Sequence, residues 1–333
     1  NWLLAQSPLH YDKELHAHRG RGEKPVLIDF ETKSDEAYWI AQDLQHRHEG
    51  GARWSDHMVL TRSAWSAKAV EGALIDHDIP YKFIGGTSLL EAAHVKDLLS
   101  LARCALNKRD ELAWMRYLKF WPKIGDVTAA KVVDALLKAE AAADPLPILE
   151  ATLPKRDDIL QGVKLILQYR AEPQIALRVA TQHMNGTYAN RYDRWESRAA
   201  DLRLLAELAS RYKDLLTFVE AYTLDPVNNT EEDTSETDDA VSLITVHSAK
   251  GTEAPVCYCI GVQPGVYPHV RSLGDTNAEE EERRILYVAL TRAQNELFIT
   301  RAGEDSHTVF HGGSYAHSVG SPYFLEYLPP ALV

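Results

Sequence analysis

Between about Leu98 and Leu224 the chain carries almost no strand signal, while apolar runs of strand character bracket that block on both sides. Before it, "PVLIDFET", "HMVLTR" and "PYKFIGG" read as strands. The intervening "SDEAYWIAQDLQHRHEGG" opens on a Ser cap with acids and closes on glycine, and "SAWSAKAVEGALIDHDI" is a second helix. Strands alternating with helices imply a parallel sheet covered by helices. Inside the block, stretches such as "DVTAAKVVDALLKAEAAA" and "ESRAADLRLLAELASRYKDLLTFVEAYTL" are amphipathic or Ala/Leu-rich, so it reads as all-helical. The acid-rich "DPVNNTEEDTSETDD" that follows reads as a solvated linker. Strand character then returns in "AVSLITVHS", "VCYCIGV" and "NELFITR". The expected fold class is α/β. One sheet domain is split in sequence into 1–100 and 238–333, with a helical domain, 101–237, inserted between its halves.

Net charge is −12, which counts against a broad basic surface. It leaves room for a local groove, because phosphate binding needs only a handful of placed Lys and Arg residues. Three cysteines give no disulfide framework and fit a reducing cytoplasm. No apolar run reaches the ~20 residues that span a bilayer, and the start lacks the layout of a secretory signal. A cytoplasmic protein with no membrane partner is expected. The opening "NWLLA" begins within a helix, as a fragment would. His16 and His18 in "HAHRGRGEK" have no partner cluster, so that segment reads as a solvated loop and no metal site is expected.

Three segments carry chemistry. "VHSAKGTEAP" has half the look of a phosphate loop, but Lys250 precedes Gly251 and no G-x-x-x-x-G-K-[ST] occurs in the chain. In a parallel sheet, the segment after a strand lies at the carboxyl edge, where ligands bind. His247, Ser248 and Lys250 would supply donors there and Glu253 an acceptor; the plain alternative is an ordinary polar loop. In "AEEEERRILYVALTRAQNELFIT", Glu279 with Arg283 and Glu280 with Arg284 read as i,i+4 surface pairs. Arg292, near the end of that helix, is placed either to cap it or to reach a phosphate. In "IPYKFIGGTSLLEAAHVKDLL", Gly85-Gly86 allows a sharp turn, Ser88 and Glu91 form a capping box, and the helix start offers N–H groups to an anion. Cys257 and Cys259 read as core residues. Trp114, Trp121 and Trp195 also read as core, with base stacking open to one of them.

Together and in this order, the segments resemble the carboxyl-terminal half of a superfamily 1 DNA helicase of the UvrD/Rep/PcrA type. "VHSAKGTE" is similar to that family's motif V, and "EEEERRILYVALTRA" to its motif VI. "VLTRSAWSAKAVEGALIDHDIPYKFIGGTSLLEAAHVKD" resembles its L-x-R-S to E-I-K-D stretch. "WPKIGDVTAAKV" resembles an element of its inserted domain, and "GSPYFLEYLP" its usual ending. Thr252 and Ala254 depart from the usual leucine and aromatic, and Lys123 stands where arginine is common. The resemblance implies a second RecA-like motor domain with its helical insertion. The P-loop and most Mg2+ ligands would belong to an amino-terminal motor domain of the same polypeptide. It implies ATP as the fuel, and single-stranded DNA and its junction with duplex as partners. Arg292 would be the catalytic arginine finger, binding ATP together with Glu253. Arg62, Gly85, Gly86, Thr245, His247 and Lys250 would line the DNA track, and Lys123 and Gly125 would sit in a duplex-contacting element. By itself the chain would be inactive. The rival reading is a non-catalytic DNA- or protein-binding module on the same fold.

Overall fold

Six strands, Val26–Phe30 (β1), His57–Thr61 (β2), Tyr81–Ile84 (β3), Val241–Thr245 (β4), Ala254–Cys259 (β5) and Ala293–Ala302 (β6), pair in parallel in the order β1-β6-β5-β2-β4-β3. The computed structural model describes residues 1–9, 16, 20, 22–140, 144–223, 239–303 and 323–333. The acid-rich linker therefore lies outside the described residues except for its last one, as do His18 and three other residues of the "HAHRGRGEK" segment and the first part of "GSPYFLEYLP". The chain divides into two units, Asn1–Ser88 with Pro226–Val333, and Leu89–Asp225.

In the first unit, β2 is buried at every position and β5 at all but one. That is why their sequences read as continuous rather than alternating apolar runs: helices cover both faces of a parallel sheet. Among the described residues four α-helices belong here, Trp2–Ala5 (α1), Lys33–Glu49 (α2), Ala64–Asp76 (α3) and Thr276–Leu290 (α12 in chain order). The cap of α2 is Thr32, not Ser34: the Thr32 hydroxyl accepts from the Asp35 N–H at 3.1 Å and the Asp35 carboxylate accepts from the Thr32 N–H. Ser63 caps α3.

The expected capping box at Ser88 and Glu91 does not form. Ser88 is buried and donates to the Glu71 carboxylate, which also accepts from the Tyr81 hydroxyl at 2.9 Å. A buried carboxylate needs such donors, and Glu71 takes the hydroxyl that would have capped. The next helix starts only at Ala93.

The second unit holds Ala93–Leu106 (α4), Glu111–Phe120 (α5), Asp126–Lys138 (α6), Pro145–Thr152 (α7), Asp157–Gln168 (α8), Pro173–Arg191 (α9), Trp195–Ala209 (α10) and Leu215–Thr223 (α11). Trp114, Tyr117, Phe120 and Tyr188 are fully buried there. The Trp114 indole N–H donates to the Lys108 carbonyl at 3.0 Å, so the large ring is buried with its polar atom satisfied. Trp121 is buried too, while Trp195 is half-buried and stacks on Tyr188 at 4.5 Å between ring centres. The long run expected to be one helical stretch breaks between Ala209 and Leu215, where Tyr212 packs edge-on against Phe218 and Tyr222. All three cysteines are free and buried. Among the described residues, no helix is long and apolar enough to cross a membrane.

Candidate functional site

Because β2, β4 and β3 are neighbours with parallel register, the residues that follow them share the sheet's carboxyl edge. Arg62, Gly85-Gly86 and the start of "VHSAK" are thereby brought together. Gly85 sits at φ +85°, in the left-handed region, and a Cβ there would collide with Ser248 Oγ and Thr245 Oγ1. Gly86 passes so close to Ala64 and the Phe83 ring that a Cβ would come within 2.5 Å of both. The glycines are thus needed twice over, for the turn and for the close approach. Thr245 itself is buried, its hydroxyl reaching Ser248 Oγ at 3.3 Å, so it supports the edge from beneath. His247, Ser248 and Lys250 are exposed.

These contacts make a direct prediction. Gly85→Ala should cost about 3 kcal/mol, combining left-handed strain with overpacking against Ser248 and Thr245. Urea denaturation checks it, and an unchanged midpoint would contradict the packing described.

Arg62 does not face solvent as a free cation. Its Nε donates to Glu282 Oε2 at 2.9 Å and its Nη2 to Oε1 at 2.6 Å, a two-pronged pair with a carboxylate whose side chain is 5% exposed. The pair raises the Arg62 pKa, chiefly through these hydrogen bonds. Sequence reasoning missed Glu282 because it treated "EEEERR" as a surface. The signal was present: Glu282 shares a helical face with Ile285, Leu286 and Ala289, all buried. The surface pairs also differ from expectation. Arg283 binds Glu280 and Arg284 binds Glu281, both i,i+3 at 2.9 Å, because Glu280 turns inward to Ser7 and Glu279 accepts from the Gly274 N–H.

Glu253 does not belong to the carboxyl edge. It immediately precedes β5, and register places Thr245 level with Thr61 and Leu60 level with Cys259. At ~3.3 Å per strand residue, Glu253 lies roughly 20 Å from that edge, at the amino end of the sheet. The eight residues from Val246 to Glu253 therefore cross from one edge to the other. Arg292 meets Glu253's neighbours there. Its Nη1 donates to the Thr252 carbonyl at 3.0 Å, and its carbonyl accepts from the Ala254 N–H at 3.2 Å. Its Nε donates to the Val288 carbonyl at 2.9 Å and its Nη2 to Thr291 Oγ1 at 2.9 Å. These acceptors are all neutral, and a guanidinium with five N–H groups retains two more. Glu253 is exposed, and its Oε1 accepts from the Gln294 amide at 2.7 Å.

Lys123 and Gly125 belong to the helical unit, in the turn between α5 and α6. Lys123 is exposed with φ +67°, and Gly125 is the N-cap residue of α6 with open space around it.

A model of the UvrD-like helicase C-terminal domain matches residues 2–143 and 167–304. The chain is 27% identical over 326 residues to the ATP-dependent DNA helicase PcrA of Staphylococcus epidermidis, covering 91% of this chain and 44% of that protein. It is 28% identical over 331 residues to the ATP-dependent DNA helicase Rep of Buchnera aphidicola, with 91% and 49% covered. It is also 27% identical over 379 residues to the ATP-dependent DNA helicase UvrD1 of Mycobacterium leprae, with 100% and 47% covered. The chain thus spans about half the length of the curated relatives it matches.

Proposed function

The chain belongs to the UvrD-like helicase C-terminal domain family, and on that premise we propose that it is the second motor domain, with its helical insertion, of a cytoplasmic ATP-dependent DNA helicase that moves 3′ to 5′ along single-stranded DNA and opens the duplex ahead. The observation that carries this reading is Arg292: a guanidinium positioned by two carbonyls and a hydroxyl, with no carboxylate among its hydrogen-bond acceptors. Such a cation is oriented yet keeps its charge for an anion, as an arginine finger requires. A module that only bound DNA or protein would have no use for it.

The division of labour follows the two edges of the sheet. Glu253 and Arg292 at the amino end face nucleotide, Glu253 toward the ribose hydroxyls and Arg292 toward the γ-phosphate. His247 and Lys250 track the DNA backbone, with Gly85-Gly86 turning close beneath it and Thr245 holding the turn. Arg62 serves this edge by position, since Glu282 occupies its guanidinium. Lys123 and Gly125 meet duplex DNA at the junction. Two links join the edges: the segment Val246–Glu253, and α12, whose 15 residues run roughly 22 Å at the helical rise. Movement of Arg292 on phosphate is transmitted through both.

ATP binding is shared with an amino-terminal motor domain, which supplies the P-loop. Among the described residues, no three His, Cys, Asp or Glu side chains gather as a metal site. Mg2+ beside a nucleotide needs only one or two carboxylates besides the phosphates, so the ion is assigned mainly to that amino-terminal domain and no step here is routed through it.

Two expectations test the assignment. The 333-residue chain alone should hydrolyse ATP at background rate with or without single-stranded DNA, because no P-loop pattern is present. It should bind oligonucleotides weakly and salt-sensitively, given a net charge of −12 and half a track. DNA-stimulated turnover in the pure chain, or tight binding that salt leaves unchanged, would overturn it.

A further inference from the structure

Trp65 has no role in the core. It is 41% exposed, on the first turn of α3, three residues beyond Arg62 and its pair with Glu282. It follows β2 at the carboxyl edge, and its chain neighbour Ala64 packs against Gly86 of the sharp turn. The ammonium of Lys33, on the first turn of α2, lies over the indole at 4.4 Å from the ring centre. Burying the rest of a Trp side chain is strongly favourable, so an indole left 41% exposed beside a cation retains apolar surface that a ligand can cover. Among the described tryptophans of this unit only Trp65 is exposed, and Trp39 contacts Phe30, Tyr258 and Phe298; Tyr38 and Tyr327 are exposed as well, Tyr38 lying edge-on to His77.

We propose that Trp65 and Lys33 form a binding subsite for one nucleotide of single-stranded DNA, the indole stacking on an unpaired base and the ammonium meeting the adjoining phosphate. An exposed aromatic with a cation along a backbone-tracking groove is the chemistry that holds unpaired strands irrespective of sequence. A duplex is excluded from this subsite, because its base faces are covered by their own neighbours. The subsite deepens the DNA-track reading above and rests on it.

The test uses the intact protein and fluorescence anisotropy with labelled oligo-dT, and with the same strand carrying abasic sites. Trp65→Ala should bind oligo-dT about tenfold more weakly, as expected for losing one stacked base. Trp65→Phe, which keeps an aromatic ring to stack, should stay within about threefold of wild type. On the abasic strand, wild type and Trp65→Ala should bind equally, because there is no base to stack. Lys33→Ala should reduce the slope of log affinity against log salt by about 0.7, the share of one phosphate on a single strand. Equal oligo-dT affinity for wild type and Trp65→Ala would overturn the stacking role alone. Wild-type protein that bound no single strand at all would overturn the track and the subsite together. A tenfold loss that persisted on the abasic strand would show that Trp65 acts through folding, which also rejects the subsite.

Discussion

Arg292→Ala in the intact protein is expected to lower DNA-stimulated ATP turnover by about three orders of magnitude, with little change in nucleotide affinity. In the proposed finger role Arg292 acts on charge that develops as the γ-phosphoryl group leaves, so its loss would fall on kcat. A purely structural Arg292 would behave otherwise. Its bond to the Val288 carbonyl satisfies a last-turn acceptor of α12, which by itself is worth ~0.3–1 kcal/mol. Losing that bond lowers the melting temperature slightly and leaves turnover alone. Arg292→Lys separates the two further. Lysine keeps the charge but cannot hold Thr252, Val288 and Thr291 at once while offering a planar fork to phosphate oxygens. Wild-type kcat in Arg292→Lys would reject the finger role.

The elements of the fold were legible because each obeys a local rule. The strands are continuous apolar runs, the helices are periodic, and "SAW" announces the Ser63 cap. What was not legible is which polar groups are turned inward. Ser88 looks like a cap, but a carboxylate seventeen residues earlier, Glu71, takes its hydroxyl. Glu282 looks like one more acid in a solvated run, yet β2 delivers Arg62 to it from far away in sequence. Long-range pairing of this kind leaves no mark on spacing. The site shows the same division. The Gly85-Gly86 turn was readable, and the structure adds the reason, contact with Thr245 and Ser248. The position of Glu253 was misread because a loop after a strand was taken to stay on one edge. Only the strand register reveals that so short a segment crosses the whole sheet.

The Arg62–Glu282 pair carries an expected effect on stability as large as that of Gly85. Glu282→Ala leaves a half-buried guanidinium without its carboxylate and removes the acceptor of the His269 N–H, and should cost about 3 kcal/mol in urea denaturation. Arg62→Ala strands a nearly buried carboxylate and should cost a similar amount. The two losses are not expected to add, since either substitution already breaks the interaction; the double variant should fall well short of their sum. Arg62→Met combined with Glu282→Leu, which fills the space with apolar atoms, should recover most of the stability. DNA binding then separates two roles for Arg62. Were its guanidinium a phosphate contact restrained by Glu282, Glu282→Gln would free it and tighten oligonucleotide binding. As a brace joining the carboxyl edge of β2 to α12, it instead predicts that Glu282→Gln destabilises the sheet domain without any gain in affinity. Additive single losses would show that α12 is not tied to the carboxyl edge through this pair, and tighter DNA binding by Glu282→Gln would show that Arg62 acts on DNA directly.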